Sequence, residues 1–245
     1  MNNVKKSYRK GGFTFKQFFV GHDRCAMKVG TDGVLLGAWA PVQQAKKALD
    51  IGSGSGLIAL MLAQRNQQMT VDAVELDKAA AQQAQENFAE SKWGERLQIF
   101  EQDITQFSVS RQKAYDLIVS NPPYFEPSVS CSSEQREQAR YTATLTHQAL
   151  LDSAMDCLTT DGLFCLVLPY DVGEKVELMA HRNGWFTAYR VNIRDKATTP
   201  FHRMLLGLKR ELVEPEISTL VLKEADNNIY TEDFQRLIRD FYLKY

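Results

Sequence analysis

At 245 residues, with 44% hydrophobic and 24% charged, the chain can bury one substantial core and is neither disordered nor fibrous in composition. No apolar run approaches the roughly 20 residues of a membrane-spanning helix, and the opening "MNNVKKSYRKGGFTF" lacks the apolar region of a signal peptide. A net charge of −1 rules out reading a partner from bulk charge; cysteines at 25, 131, 157 and 165, without a C-x-x-C pair or a histidine at metal spacing, predict free thiols in a reducing cytoplasm and no metal.

In chain order, "ALDI" (48–51) predicts a strand that ends in glycines, and "LIALMLAQR" after it predicts a helix. "TVDAVELD" (70–77) is a second strand, and the Ala/Gln/Glu-rich run 77–91 is a strong helix former. "LQIFEQD" (97–103) alternates as a third strand, and "YDLIVS" (115–120) is a nearly all-apolar fourth, as expected of a strand covered on both faces. Residues 145–162 predict a helix ended by Asp-Gly, 163–169 a fifth buried strand, and 172–184 a helix stopped by Asn-Gly. "WFTAYRVNI" and 202–210 follow as strands. Phe234, Leu237, Ile238 and Phe241 have the spacing of an amphipathic helix with Thr231 as its N-cap. This alternation predicts an α/β chain: a mostly parallel sheet with helices on both faces, in a single domain 1–245.

Charge is unevenly distributed. Residues 1–22 carry Lys5, Lys6, Arg9, Lys10 and Lys16 with no acid, and Phe13, Phe15, Phe18 and Phe19 lie among them. A second basic stretch runs from Arg190 through Arg194, Lys196 and Arg203 to Lys209 and Arg210, with Asp195 its sole acid before Arg210. Cations interleaved with aromatics can follow a phosphate backbone and stack bases. They can equally form a solvated face beside core-anchoring rings.

The turn "LDIGSGSGLIAL" sets Gly52, Gly54 and Gly56 between the first strand and its helix. Glycines there allow a tight turn and let a ligand press on the backbone, at the end of a parallel sheet where ligands sit. Glu75 ends the second strand, where an acid can accept hydrogen bonds from both ribose hydroxyls of a nucleoside. The third glycine comes one residue early for a dinucleotide fingerprint, and Asp50 precedes the turn, a carboxylate better suited to an ammonium than to a pyrophosphate. No G-K-[ST] is present, which excludes a P-loop nucleotidase. The expected ligand is a nucleoside with a cationic amino-acid tail.

The pattern D-x-G-x-G-x-G, a strand-ending acid, a further acid at Asp103 and then "NPPY" (121–124) resembles the class I S-adenosylmethionine-dependent methyltransferases over about residues 30–210. The resemblance implies a Rossmann-like, seven-stranded sheet and S-adenosyl-L-methionine as cofactor. It implies that Asp50, Gly52, Gly54 and Gly56 surround the methionine part, Glu75 the ribose and Asp103 the adenine amino group. Residues 28–39 would close over the methionine end, with Thr31 and Asp32 as contributors. Residues 28–245 would then be the cofactor-binding and catalytic core, and 1–27 a basic, aromatic arm.

A methyl group on a sulfonium is already activated, so the chain must mainly align a nucleophile. An exocyclic amine of a purine is a poor one, because its lone pair is delocalised into the ring. Acceptors set against its N–H bonds favour a more tetrahedral nitrogen. Asn121 has a side-chain carbonyl, Pro122 a backbone carbonyl, Pro122 and Pro123 restrict the chain, and Tyr124 offers a ring for stacking. These four are the candidate catalytic residues, and Asn121 also borders the cofactor. His22, His147, His181 and His202 are not needed in this scheme.

Motifs of this type serve adenine N6 of DNA or RNA, guanine N2 of ribosomal RNA and glutamine N5 of release factors. Only 47 residues precede Ala48, so no leading helical domain is expected, and no target-recognition domain of appreciable size is visible in the sequence. The segments "QFFVGHDRCAMKVGTDGVLLGAWAP", "SNPPYF" and "YTEDFQRLIRDFYLKY" resemble the bacterial tRNA adenine N6-methyltransferases that act just 3′ of the anticodon of a valine tRNA. That resemblance implies a cytoplasmic monomer that binds tRNA without membrane or metal. Lys5, Lys6, Arg9, Lys10 and Lys16, with Arg136 and Arg140, would contact RNA phosphates.

Overall fold

In the computed structural model, which describes residues 10–123, 145–225 and 229–244, a small antiparallel hairpin comes first. It consists of β1 (Gly12–Thr14) and β2 (Phe19–Gly21) and leads to α1 (Thr31–Trp39). The alternating part then runs β3 (Lys47–Ile51), α2 (Leu57–Arg65), β4 (Thr70–Glu75), α3 (Lys78–Glu90), β5 (Leu97–Glu101), α4 (Ile104–Ser110) and β6 (Tyr115–Ser120). After the break come α5 (His147–Cys157), β7 (Leu158–Pro169), α6 (Tyr170–Arg182), β8 (Phe186–Arg194), β9 (Phe201–Lys209), β10 (Glu216–Val221) and α7 (Glu232–Ile238).

Eight strands form one sheet in the order β10-β8-β9-β7-β6-β3-β4-β5, parallel except where β9 runs antiparallel between β7 and β8. The sequence predicts seven strands. The eighth, β10, lies at the edge and is mostly exposed, with Ile217 61% accessible, so it lacks the apolar pattern that marks a buried strand. A second difference is at 158–162, predicted as the end of a helix. The chain leaves α5 at Cys157 and joins β7, with a register shift between Tyr115 and Leu117, because Leu158 is fully buried beside Tyr115.

Two cores lie on the two faces of the sheet, and strand alternation sorts residues between them. Leu117, Val119, Cys165, Val167 and Leu205 face the core shared with α1, α2, α3 and α7. Ile118, Phe164, Leu166, Met204 and Leu206 face the core shared with α4, α5 and α6. The first core also takes Phe15, Phe18 and Val20 of the hairpin and Phe241 of the C-terminal turn. Phe15 and Phe18 stack at 4.6 Å, and Phe13 meets Tyr242 edge-on at 5.6 Å. Of the two meanings open to these aromatics, Phe15 and Phe18 take the core-anchoring one.

Candidate active site

The order reverses at β3, whose neighbours are β4 on one side and β6 on the other. A crevice therefore opens beyond the carboxyl ends of β3 and β6, where an open parallel sheet receives its ligand. Ile51 pairs with Ser120 across these strands, and the Ser120 hydroxyl donates to the Ile51 carbonyl at 2.9 Å. The residues that follow them, Gly52 and Asn121, thus emerge side by side. Both line an open cleft, together with Gly54, Glu75, Asp103 and Pro123. Its place at the switch point is where a nucleoside with a tail is received.

The three glycines have left-handed φ angles of +70°, +53° and +77° at 52, 54 and 56, which L side chains adopt only with strain. Their surroundings differ. A Cβ at Gly52 or Gly54 would meet no protein atom within 4 Å, whereas one at Gly56 would lie 2.4 Å from Phe88 Cε1. The first two present bare backbone to the cleft. Gly56 instead lets α2 start against α3, and it does not line the cleft.

Glu75 is buried, and its carboxylate accepts from Gly54 N–H at 2.8 Å and from Asp77 N–H at 2.9 Å. Burial pushes its pKa up, while these amide donors pull it back. Asp103 caps α4: its Oδ1 accepts from the Thr105 amide at 2.8 Å and hydroxyl at 2.7 Å, and the residue lines the cleft. Asn121 Oδ1 is enclosed and has no hydrogen-bond partner among the described residues.

Asp50 does not line the cleft. It is fully buried behind the turn, where Oδ2 accepts from Ala59 N–H of α2 at 3.1 Å and Oδ1 has no partner. Burial, opposed by the Ala59 bond and reinforced by Glu75, raises its pKa to about 7. Asp50 thus holds the start of α2 through Oδ2, and its Oδ1 is left without a partner among the described residues. Thr31 is exposed at the first turn of α1, and Asp32 is bound through both oxygens by Arg203 Nε at 2.9 Å. Neither is on the cleft wall.

The structure adds walls that no motif announces. Cys25 and Met27, after the hairpin, close one side; burial and the nearby Glu75 push the Cys25 thiol up to about 12, so it stays uncharged. His22 Nδ1 accepts from Val29 N–H at 3.1 Å and pins that segment into a loop. Leu76, 45% exposed between two acids in "ELD", offers an apolar surface to a flat base, a signal present in the sequence. Lys10 and Lys16 are exposed, and Lys16 Nζ donates to the Arg239 carbonyl at 2.5 Å. Tyr124, Lys5, Lys6, Arg9, Arg136 and Arg140 lie outside the described residues. Among the described residues no cluster of three or more His, Cys, Asp or Glu could hold a metal, and no helix is long and apolar enough to cross a membrane.

A glycine turn, a strand-ending acid and an Asn-Pro-Pro at one switch point define a class I methyltransferase fold. Its likeness to a predicted O-methyltransferase of Agrobacterium tumefaciens has a TM-score of 0.70, at 16% identity over 86% of this chain and 96% of that one. Residues 27–190 match the methyltransferase small domain family. The chain is 61% identical to the tRNA1(Val) (adenine(37)-N6)-methyltransferase of Serratia proteamaculans, covering 97% of this chain and 92% of that protein. It is 59% identical to the protein of the same name from Photorhabdus laumondii, covering 98% and 99%. The chain belongs to this family of methyltransferases.

Proposed function

We propose that this chain methylates the exocyclic nitrogen of adenine 37 in a valine tRNA, using S-adenosylmethionine, as a cytoplasmic monomer. One observation carries the chemistry: Asn121 Oδ1 is an enclosed acceptor with no partner among the described residues, at the rim of the cleft that Gly52 and Gly54 floor. An unsatisfied buried acceptor costs about 1–3 kcal/mol, and an amine N–H entering the site relieves that cost.

The residues fit the cofactor. The bare turn at Gly52 and Gly54 leaves room where side chains would intrude. Glu75 retains lone pairs for two ribose hydroxyls, Asp103 on the cleft wall can accept from an adenine amino group, and Leu76 supplies an apolar plate. Asp50 and Gly56 keep the turn in shape from behind. When bound, S-adenosylmethionine supplies a methyl group on a positively charged sulfur.

The chain's own work is alignment. Asn121 Oδ1 and the Pro122 carbonyl accept the two amine N–H bonds and favour a nitrogen lone pair directed at the methyl group. Pro122 and Pro123 hold those acceptors still, and Tyr124 stacks on the base. The target adenine leaves its loop stack to reach them, which is easier from an unpaired loop than from a duplex. The proton of the resulting ammonium passes to water, so no histidine is required.

The test is incubation with labelled S-adenosylmethionine and unmodified total tRNA, followed by nucleoside analysis and mapping. N6-methyladenosine at position 37 of valine tRNA is expected. Label on guanine N2, or on protein alone, would overturn the reading.

A further inference from the structure

The basic stretch 190–210 takes no part in the site above, and the fold divides its charges. Arg203 is consumed by Asp32. Arg190 donates to Glu177 Oε2 at 2.7 Å, to Asn192 Oδ1 at 2.9 Å and to the Tyr170 hydroxyl at 2.9 Å. Arg194 differs: among the described residues it makes no ion pair, and its Nε is enclosed without an acceptor. Beyond the strand, Lys196 Nζ donates to a backbone carbonyl, that of Ala225, at 3.0 Å.

Stacking is what holds Arg194. Its guanidinium lies 5.3 Å from the centroid of the Phe201 ring. Phe201 stacks on Tyr170 at 5.3 Å and 26°, and Arg190 lies 5.5 Å over the far ring. Strand alternation puts Arg190, Asn192 and Arg194 on one face of β8, so the four groups form a continuous ladder, Arg190–Tyr170–Phe201–Arg194. A guanidinium held over an aromatic ring is retained without spending its terminal N–H donors. Arg190 at the inner end is neutralised by Glu177; Arg194 at the outer end is not.

The ladder lies along the edge of the sheet that carries the active site. Arg194 ends β8, Phe201 starts the antiparallel β9 and Tyr170 follows β7, whose other neighbour β6 leads to Asn121. Strands are about 4.8 Å apart, so β8, three places from β6, lies about 14 Å from it. An RNA strand with one base in the Asn121 pocket would meet Arg194 by crossing about that span.

We infer that Arg194, oriented by the Tyr170–Phe201 stack, binds a backbone phosphate of the tRNA strand flanking the target adenine. The inference rests on the proposed function and adds a docking surface to it. A charged, planar donor already held in place loses little side-chain freedom on binding, and an RNA phosphate is the bidentate acceptor that its edge fits.

The test compares wild type, Arg194→Gln and Arg194→Lys for binding of unmodified valine tRNA at several salt concentrations, with S-adenosylhomocysteine present to prevent turnover. For Arg194→Gln, affinity is expected to fall about tenfold, the size of one charge-assisted hydrogen bond, and the salt slope to fall by about one. Arg194→Lys should keep the slope and recover part of the affinity. S-adenosylhomocysteine affinity and melting temperature should match wild type in both variants. Wild-type tRNA affinity and slope in Arg194→Gln would overturn the inference, as would a parallel loss of cofactor affinity and melting temperature. If wild type itself leaves tRNA unmethylated, the proposed function fails instead, and the two failures are distinct.

Discussion

Asn87 and Gly21 exchange two hydrogen bonds: Gly21 N–H donates to Oδ1 at 2.9 Å, and Nδ2 donates to the Gly21 carbonyl at 2.8 Å. The same Nδ2 donates to the Ser55 carbonyl at 2.8 Å, so one side chain of α3 ties the hairpin to the glycine turn. Backbone and helix approach closely here, and a Cβ at Gly21 would lie 2.7 Å from Gln83 Nε2. The segment leaving Gly21 carries Cys25 and Met27 onto the cleft wall. Asn87→Ala strands three buried backbone groups, at about 1–3 kcal/mol each. It should lower the melting temperature and weaken S-adenosylhomocysteine binding in calorimetry. Asn87→Asp should not rescue it, since a carboxylate would face two carbonyls. Cofactor affinity unchanged beside a lower melting temperature would mean that the hairpin does not support the cleft.

Two glycines of one turn should fail in different ways. Gly56→Ala drives a methyl group toward Phe88, 2.4 Å away, and adds strain at a φ of +77°; its loss should be in stability, by about 1–3 kcal/mol, measured by denaturant unfolding. Phe88→Leu should recover part of it by vacating that space. Gly54→Ala meets no protein atom and carries only the strain of φ +53°, of order 1 kcal/mol. Its methyl group occupies cleft space, so cofactor affinity should drop by more than stability does.

Asn121→Ala removes the partnerless acceptor and keeps the proline backbone. A group that acts on the reacting nitrogen should cost about 10²–10³ in kcat, with a much smaller change in cofactor affinity. Single-turnover methylation of valine tRNA beside calorimetric binding separates the two. Equal losses in both would make Asn121 a binding residue only.

Most of the sheet was legible because its strands are short apolar runs punctuated by Gly, Pro and Asp-Gly signals. One helix cap was legible too, since Thr231 accepts an amide hydrogen bond at the start of α7; Asp77 and Asp103 do the same for α3 and α4, a role the sequence reading did not assign them. Position in the chain cannot reveal depth, and Asp50 illustrates this. A carboxylate just before a glycine turn can face the ligand or the helix behind, and only packing against Ala59 N–H decides. Gly56 is similar, since its need for space comes from Phe88, more than thirty residues away in the chain. Cys25, Met27 and Asn87 act through tertiary contacts between hairpin, α3 and cleft, which leave no local pattern. The edge strand β10 carries too little buried apolar surface to announce itself.

The titration of Asp50 gives a prediction with a definite sign. Its pKa rises from 3.8 in the unfolded chain to about 7 in the fold, chiefly by burial. Between about pH 4 and pH 7 the folded chain keeps a proton that the unfolded chain has released. This group therefore lowers stability as pH rises through that window, by up to about 1.4 kcal/mol per unit, and adds no further slope above it. Asn resembles the protonated acid in shape and can still accept from Ala59 N–H. Denaturant unfolding at pH 5 and pH 8 should show wild type losing stability relative to Asp50→Asn, with the variant the more stable at pH 8. Cofactor binding provides a second reading. An ammonium that reached Asp50 would ionise it, and calorimetry near pH 6 in buffers of different ionisation heat would register a released proton. With Asp50 off the cleft wall, no such release is expected, and a full proton released in wild type but not in Asp50→Asn would put the carboxylate at the methionine end after all.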